Sequence, residues 1–162
     1  MLDSETTGLT PPVQFTEIAI VDADAKTLFE GTLRPVCRIE ASATRVHGHT
    51  ARSLAASPPF LEVYPDLLEA LWGRRIIVYN ASYDRRVWDA EVRSLGARGA
   101  LAGELPTWEC AMRRYAAYMS EPSKARWLPL PEAARRGSQR SGRCTSDAAA
   151  DRGHGHRIRR RV

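Results

Sequence analysis

The sequence predicts an α/β fold, with a sheet flanked by helices, and three observations lead to this prediction. Residues 15–22, FTEIAIVD, alternate between apolar and polar positions and then become continuously apolar, as a half-buried strand does. Residues 27–35 indicate a second strand that ends at Pro35. After them, two segments with helical spacing enclose a short β-branched run. Strands that alternate with helices are typical of a layered α/β domain.

The two helical segments and the strand between them follow from residue spacing. Residues 57–73 carry apolar side chains at helical spacing, and Gly73 is expected to end this helix. Residues 75–79 are typical of a buried strand, and residues 81–96 follow as a second helix that ends at Gly96. The apolar positions are Phe60, Val63, Leu67, Leu68 and Leu71 in the first helix, and Tyr83, Val87, Trp88 and Val92 in the second.

Three shorter segments complete the pattern. DADAK, at residues 22–26, is turn-like and predicts that the first two strands form a hairpin. VHGHT, at residues 46–50, predicts a loop, whereas residues 107–119 favour a third helix. The order strand, strand, helix, strand, helix, helix is that expected of one α/β domain.

Size and composition fit a single soluble domain. The chain has 162 residues, of which 43% are hydrophobic, enough to bury a core around one sheet. No apolar run approaches the roughly 18 residues of a membrane helix, and no signal-peptide pattern is present, so we expect a cytoplasmic protein. The three cysteines are widely spaced, which favours reduced thiols over a disulfide framework or a zinc site.

The basic charge is concentrated at one end of the sequence. Of the net charge of +5, residues 131–162 contribute +6, from nine arginines against three acidic residues, so the rest of the chain is close to neutral. From residue 137 onward no aromatic residue occurs, and the aliphatic residues larger than alanine are Ile158 and Val162. We therefore expect a domain at residues 1–136 and a disordered basic tail at residues 137–162.

Carboxylates occur in two segments that could carry chemistry. MLDSETTGL places Asp3 and Glu5 two residues apart, so both would project from one face if residues 2–5 end a strand. Paired carboxylates bind hard cations such as Mg²⁺ or Mn²⁺, although this spacing alone favours an exposed acidic turn. Asp84 lies in the first turn of the second helix, where an acid is also favourable for purely local reasons.

Taken together, LDSETTGL and NASYDRRVW resemble the first two motifs of the DEDD superfamily of 3′–5′ exonucleases, in its DEDDh or DnaQ-like branch. This group includes the proofreading epsilon subunit of bacterial DNA polymerase III. The segments between the two motifs, including VHGHT, follow the order and spacing of the family. The resemblance covers about residues 2–135.

The resemblance implies an RNase H-like fold with a mixed central sheet, and hydrolysis of phosphodiester bonds at nucleic-acid 3′ ends with two Mg²⁺ or Mn²⁺ ions. The partners it implies are a DNA or RNA 3′ end and a DNA polymerase, with no membrane. A ring at Tyr83 would lie beside the site, and we expect it to pack in the core. The implied catalytic residues and metal ligands are Asp3, Glu5, Asp84 and Asp147, and the implied substrate contacts are Thr6, Thr7, Gly8, Leu9 and Asn80.

The sequence departs from the family pattern at both ends. Met1 and Leu2 alone precede Asp3, so we expect a truncated first strand or a start further upstream. The third family motif, His-x-x-x-x-Asp, matches at Asp147, but Gly142 occupies the position of the general-base histidine. General acid–base catalysis contributes about 10²–10⁴-fold, so weak or absent activity is expected. The last roughly 25 residues would also fit translation out of the ancestral frame.

Two alternatives to an active enzyme remain at this point. A catalytically inactive exonuclease-like domain could bind a nucleic-acid end or a polymerase, with the arginine tail adding salt-dependent phosphate contacts. A fragment without a stable fold would follow if the first strand were too short to pair.

Overall fold

The computed structural model describes residues 1–96 and 107–119. Within these ranges the chain forms five strands and four helices that alternate as an α/β fold requires. They are β1 (Leu2–Thr6), β2 (Phe15–Val21), β3 (Thr27–Thr32), α1 (Ala41–His47), α2 (Phe60–Leu71), β4 (Ile76–Val78), α3 (Ala81–Ser94), β5 (Trp108–Cys110) and α4 (Ala111–Tyr118).

The strands form an antiparallel ladder and a parallel ladder. In the first, β2 pairs with β1 on one side and β3 on the other, which confirms the predicted hairpin. Its register places Asp3 opposite Ala19 and Glu5 opposite Glu17. In the second ladder β4 pairs parallel with β5, and β4 also lies beside β1. Both antiparallel and parallel pairing therefore contribute to the fold.

The strand that carries Asp3 and Glu5 is formed along its whole length. It spans five residues, and the backbone of Met1 extends the pairing, because its carbonyl accepts a hydrogen bond from Val21 at 2.9 Å. Leu2 is 2% exposed and anchors the strand in the core. The two acids are therefore held on a paired strand rather than on an exposed turn.

The core is closed by aromatic side chains from the two longer helices. Trp88 of α3 is fully buried and contacts Phe60 and Tyr64 of α2 at ring-centroid distances of 5.8 and 6.1 Å. Phe15 of β2 stacks on Phe60 at 6.2 Å. This packing holds α2 and α3 against the antiparallel ladder. It thereby positions α3 relative to the strands.

Two local predictions were wrong. Val46 and His47 belong to the last turn of α1 rather than to a loop, and Gly48 ends that helix with a φ of +82°. Residues 107–119 do not form one helix, because Trp108–Cys110 pair with β4 before α4 starts. Trp108 also packs on Trp88 at 6.2 Å, so the parallel partner and the core together hold this segment extended.

Other expectations lie outside the described residues. These are the domain boundary at residue 136, the basic tail at residues 137–162 and the position of Asp147. Among the helices that the structure describes, none is long and apolar enough to cross a membrane.

Candidate active site

Two elements bring the acidic residues of the first two motifs to one region. Asp3 and Glu5 occupy alternate positions of β1, and Asp84 lies in the first turn of α3. The Ser4 hydroxyl donates a hydrogen bond of 2.6 Å to Oδ1 of Asp84, which joins the strand directly to the helix. This hydrogen bond fixes the side chain of Asp84, which is buried with 7% of its surface exposed.

The carboxylate of Asp3 is close enough to influence those of Glu5 and Asp84. Burial raises the pKa of Asp84 above its usual range; the Ser4 hydrogen bond partly opposes this, and the nearby Asp3 carboxylate adds to it. Burial also raises the pKa of Glu5, and the carboxylates of Asp3 and Glu17 raise it further. Negative charge is thus crowded in this region, which is an arrangement that a cation stabilises.

The donor set suits a hard divalent cation in its chemistry, since it consists of carboxylate oxygens. In the part of the chain that the structure describes, no three histidine, cysteine, aspartate or glutamate side chains converge into a ready-made metal site. Asp147, the fourth predicted ligand, lies outside the described residues. Asp3, Glu5 and Asp84 therefore fit the expected ions by chemical type, and their role as ligands stays a prediction.

A histidine–glutamate pair adjoins Glu5. Glu17 faces Glu5 across the β1–β2 ladder, and Nε2 of His49 lies 2.6 Å from Oε2 of Glu17. His49 offsets part of the charge that Glu17 places near Glu5. Sequence reasoning assigned no role to either residue, because their proximity depends on the hairpin register; the second histidine of VHGHT was the available signal.

The other histidine of this motif, His47, is fully engaged. Its Nδ1 accepts a hydrogen bond of 3.0 Å from the backbone N–H of His49, so the ring carries its proton on Nε2. That nitrogen donates to the carbonyl of Thr6 at 3.1 Å, and burial lowers the pKa of the ring. His47 therefore supports the chain at Thr6, and both of its ring nitrogens are engaged.

Residues 6–9, here called the TTGL segment, follow β1 directly. Thr6 is half-buried, and Thr7 is 1% exposed with its Oγ1 accepting a hydrogen bond of 3.0 Å from the N–H of Gln14. Gly8 is buried with a φ of +149°, whereas the side chain of Leu9 is 75% exposed. Thr7 thus faces the protein and Leu9 faces solvent, and their roles as substrate contacts stay predictions.

The remaining predicted residues lie at the start of α3. Asn80 is exposed and its Oδ1 accepts a hydrogen bond of 3.0 Å from Ser82. The ring of Tyr83 packs against the core, as expected, but its hydroxyl reaches the TTGL segment. It lies 2.7 Å from Oγ1 of Thr6 and 2.6 Å from the carbonyl of Gly8.

A family model described as "Exonuclease" (RNase T) matches residues 1–136. The chain belongs to this exonuclease family. Members of the family generally use divalent metal ions. The match includes both carboxylate motifs and the segments between them, so it confirms the resemblance and the RNase H-like α/β fold that it implied.

Two known proteins are similar to this chain in sequence. It is 28% identical over 138 residues to the uncharacterized exonuclease CP81 of Escherichia phage 186, a match covering 82% of this chain and 71% of that protein. It is 30% identical over 105 residues to the epsilon subunit of DNA polymerase III from Haemophilus influenzae (strain ATCC 51907 / DSM 11121 / KW20 / Rd). The second match covers 59% of this chain and 41% of the subunit.

A solved structure is similar as well. Exonuclease X in complex with 5′ overhanging duplex DNA superposes with a TM-score of 0.56 at 25% identity, covering 85% of this chain and 70% of that one. Together with the family match, these relatives confirm that the protein is a nuclease of the hydrolase class.

Proposed function

We propose that this exonuclease removes nucleotides from the 3′ end of a DNA strand with the help of Mg²⁺ or Mn²⁺. The observation that carries the proposal is the hydrogen bond from Ser4 to Asp84, which links the strand of Asp3 and Glu5 to the helix of Asp84. DNA as the substrate is supported by the DNA polymerase subunit among the relatives and by the DNA-bound exonuclease X.

In this proposal the carboxylates act as metal ligands. Asp3, Glu5 and Asp84, with Asp147 as the fourth ligand implied by the resemblance, would hold the ions. Bound divalent cations activate the attacking water and stabilise the leaving 3′-oxygen. Ser4 keeps the carboxylate of Asp84 in place, and the pair of Glu17 and His49 limits the charge that faces Glu5.

The TTGL segment would receive the terminal nucleotide. It follows directly from the strand of Asp3 and Glu5, so a nucleotide held there would present its phosphodiester bond to the carboxylates. The exposed side chain of Leu9 is available for contact with a base. Hydrogen bonds from Gln14, His47 and Tyr83 hold the segment in a fixed conformation, which favours precise placement of the bond to be cleaved.

One observation favours a second function. Gly142 stands five residues before Asp147, at the position where the resemblance implies a general-base histidine. The protein would then be a catalytically inactive domain that binds a nucleic-acid 3′ end or a DNA polymerase. The same carboxylates and the same TTGL segment would serve binding without turnover.

Stepwise shortening of a single-stranded DNA with a label at its 5′ end distinguishes these functions. We expect a ladder of products shortened from the 3′ end in Mg²⁺ or Mn²⁺, slower than for an exonuclease that retains the histidine, and no ladder in EDTA. Release of the labelled 5′ nucleotide as the first product would contradict the proposed polarity. Binding without any shortening would favour the inactive domain, and E62Q, at an exposed position of α2, is a matched control for carboxylate variants.

A further inference from the structure

The hydroxyl of Tyr83 connects the two motifs at a second point, next to the bond between Ser4 and Asp84. It lies 2.7 Å from Oγ1 of Thr6 and 2.6 Å from the carbonyl oxygen of Gly8. The Gly8 carbonyl lies 2.6 Å from the tyrosine and 3.3 Å from Oγ1 of Thr6, so the tyrosine is the better-placed donor to Gly8, and the Thr6 hydroxyl then donates to the tyrosine oxygen. One hydroxyl therefore fixes two residues of the TTGL segment.

The surroundings of Tyr83 restrict the movement of its ring and therefore of its hydroxyl. Its ring packs against the hydrophobic core, and the guanidinium of Arg86 lies over the ring at 5.5 Å from its centroid. Tyr83 also directly precedes Asp84 in α3. The hydroxyl therefore relates the TTGL segment to the same turn of helix that places the Asp84 carboxylate.

The segment is held from the opposite side by backbone contacts. The N–H of Glu40 donates to the carbonyl of Thr7 at 2.7 Å, and the N–H of Thr7 donates to the carbonyl of Gln14 at 2.9 Å. These bonds hold Thr7, whereas Tyr83 contacts Thr6 and Gly8, which lie on either side of Thr7 in the chain. Loss of the hydroxyl would leave Thr7 anchored and the backbone of Thr6 held by β2 and His47, but it would release the Thr6 side chain and allow Gly8 to move.

We propose that Tyr83 is a positioning residue whose hydroxyl sets the TTGL segment against α3, so that a terminal nucleotide bound on the segment lies in register with the carboxylates. The inference rests on the proposed function, because it assigns the segment to the 3′-terminal nucleotide. The tyrosine touches neither substrate nor metal in this role and acts through Thr6 and Gly8.

Y83F tests the proposal because it removes the hydroxyl and keeps the ring. Two net hydrogen bonds are lost from a segment that binds substrate, so KM for a 5′-labelled oligonucleotide should rise about 3–10-fold. Because the bond to be cleaved would also lie out of register with the carboxylates, kcat should fall as well. The Kd of the same oligonucleotide, measured by anisotropy with Ca²⁺ in place of Mg²⁺, should rise by the same factor.

Y118F is the matched control, since Tyr118 is 83% exposed and should leave KM and Kd as in the wild type. T6S and T6V extend the test should Y83F fail to fold: T6S keeps the threonine hydroxyl and T6V removes it. We expect T6V to weaken binding more than T6S does.

The possible outcomes distinguish failure of the positioning role of Tyr83 from failure of the proposed function. A Y83F protein with a lower melting temperature but wild-type KM and Kd would overturn the positioning role, as would equal Kd values for T6S and T6V. A wild-type protein that neither binds nor shortens 3′ ends would instead overturn the proposed function, and the inference with it.

Discussion

The Ser4 hydroxyl and Oδ1 of Asp84 lie 2.6 Å apart although 80 positions separate these residues in the chain. Ser4 lies between Asp3 and Glu5 on β1, and Asp84 lies in the first turn of α3. The bond therefore joins the two carboxylate motifs by a direct contact. Its loss should affect both the stability of the fold and the position of Asp84.

S4A should destabilise the protein by about 1–3 kcal/mol, because it leaves the largely buried carboxylate of Asp84 without this donor. Urea unfolding in EDTA measures the change without interference from metal ions. S42A, at an exposed position of α1, is the control and should change the free energy of unfolding by less than about 0.5 kcal/mol. Equal stability of the two variants would contradict the structural role of the Ser4 bond.

G8A should be one of the more damaging small substitutions in the chain. Gly8 has a φ of +149°, and an added Cβ would overlap the side chain of Glu40. G48A is the matched control, since Gly48 also has a positive φ but open space around the position of a Cβ. The Glu40 side chain would have to move and would lose its hydrogen bond from the N–H of Thr10, so we expect G8A to lower the free energy of unfolding by about 1 kcal/mol more than G48A. Similar values would contradict a stabilising role for this packing of Glu40 on Gly8.

H49A should destabilise the hairpin through charge. Without the imidazole, the Glu17 carboxylate faces Glu5 directly across the β1–β2 ladder, and like charges at opposite positions of an antiparallel pair are unfavourable. Adding E17Q should therefore restore part of the lost stability. Thermal unfolding in EDTA compares the wild type, H49A, E17Q and the double variant. A double variant less stable than H49A would contradict the proposed repulsion between Glu17 and Glu5.

Glu91 should make stability depend on pH. Burial raises its pKa in the folded protein, and the hydrogen bonds from the Gln14 side chain and the Phe15 N–H oppose this only in part. A raised pKa means that the folded state binds the proton more tightly, so this contribution is present in acid and is lost as the pH rises from about 4.3, the value for an unfolded glutamate, through the folded value.

E91Q removes this titration. The stability of the wild type relative to E91Q should therefore fall as the pH rises from 4 upward, as measured by urea unfolding at a series of pH values. E62Q, at an exposed position, is the control and should follow the wild-type profile. A wild-type profile that runs parallel to that of E91Q would show that burial of Glu91 does not affect its ionisation.

Local patterns made much of the fold predictable. The helical spacing in residues 57–73 and 81–96 and the alternation in residues 15–22 are properties of neighbouring residues, and the corresponding elements formed as predicted. Trp108–Cys110 form a strand because of β4 and Trp88, which are distant in sequence, so no local pattern indicated it. α1 was missed as a whole, because it spans seven residues of which none is buried, so it has no apolar face to indicate a helix.

The candidate site was predictable as two motifs but not as a network. Asp3, Glu5 and Asp84 were selected because their two motifs together resemble those of the exonuclease family, whereas the contacts of Ser4, Glu17 and Tyr83 depend on strand register and on the placement of α3. Thr7 illustrates the difference, since the sequence groups it with its neighbours in the TTGL segment but the fold buries its side chain. A motif identifies residues, and the tertiary structure determines which of them face the solvent.

The most direct test of the central claim is calorimetric titration of the full chain with Mn²⁺, with E5Q, D84N and the exposed control E62Q measured in parallel. If Asp3, Glu5 and Asp84 share divalent cations, E5Q and D84N should each weaken Mn²⁺ binding by more than about tenfold, the loss that even the outer hydrogen-bond partners of metal ligands cause. E62Q should bind as the wild type does. Wild-type affinity in E5Q and D84N would contradict the claim that these carboxylates form the metal site of the exonuclease.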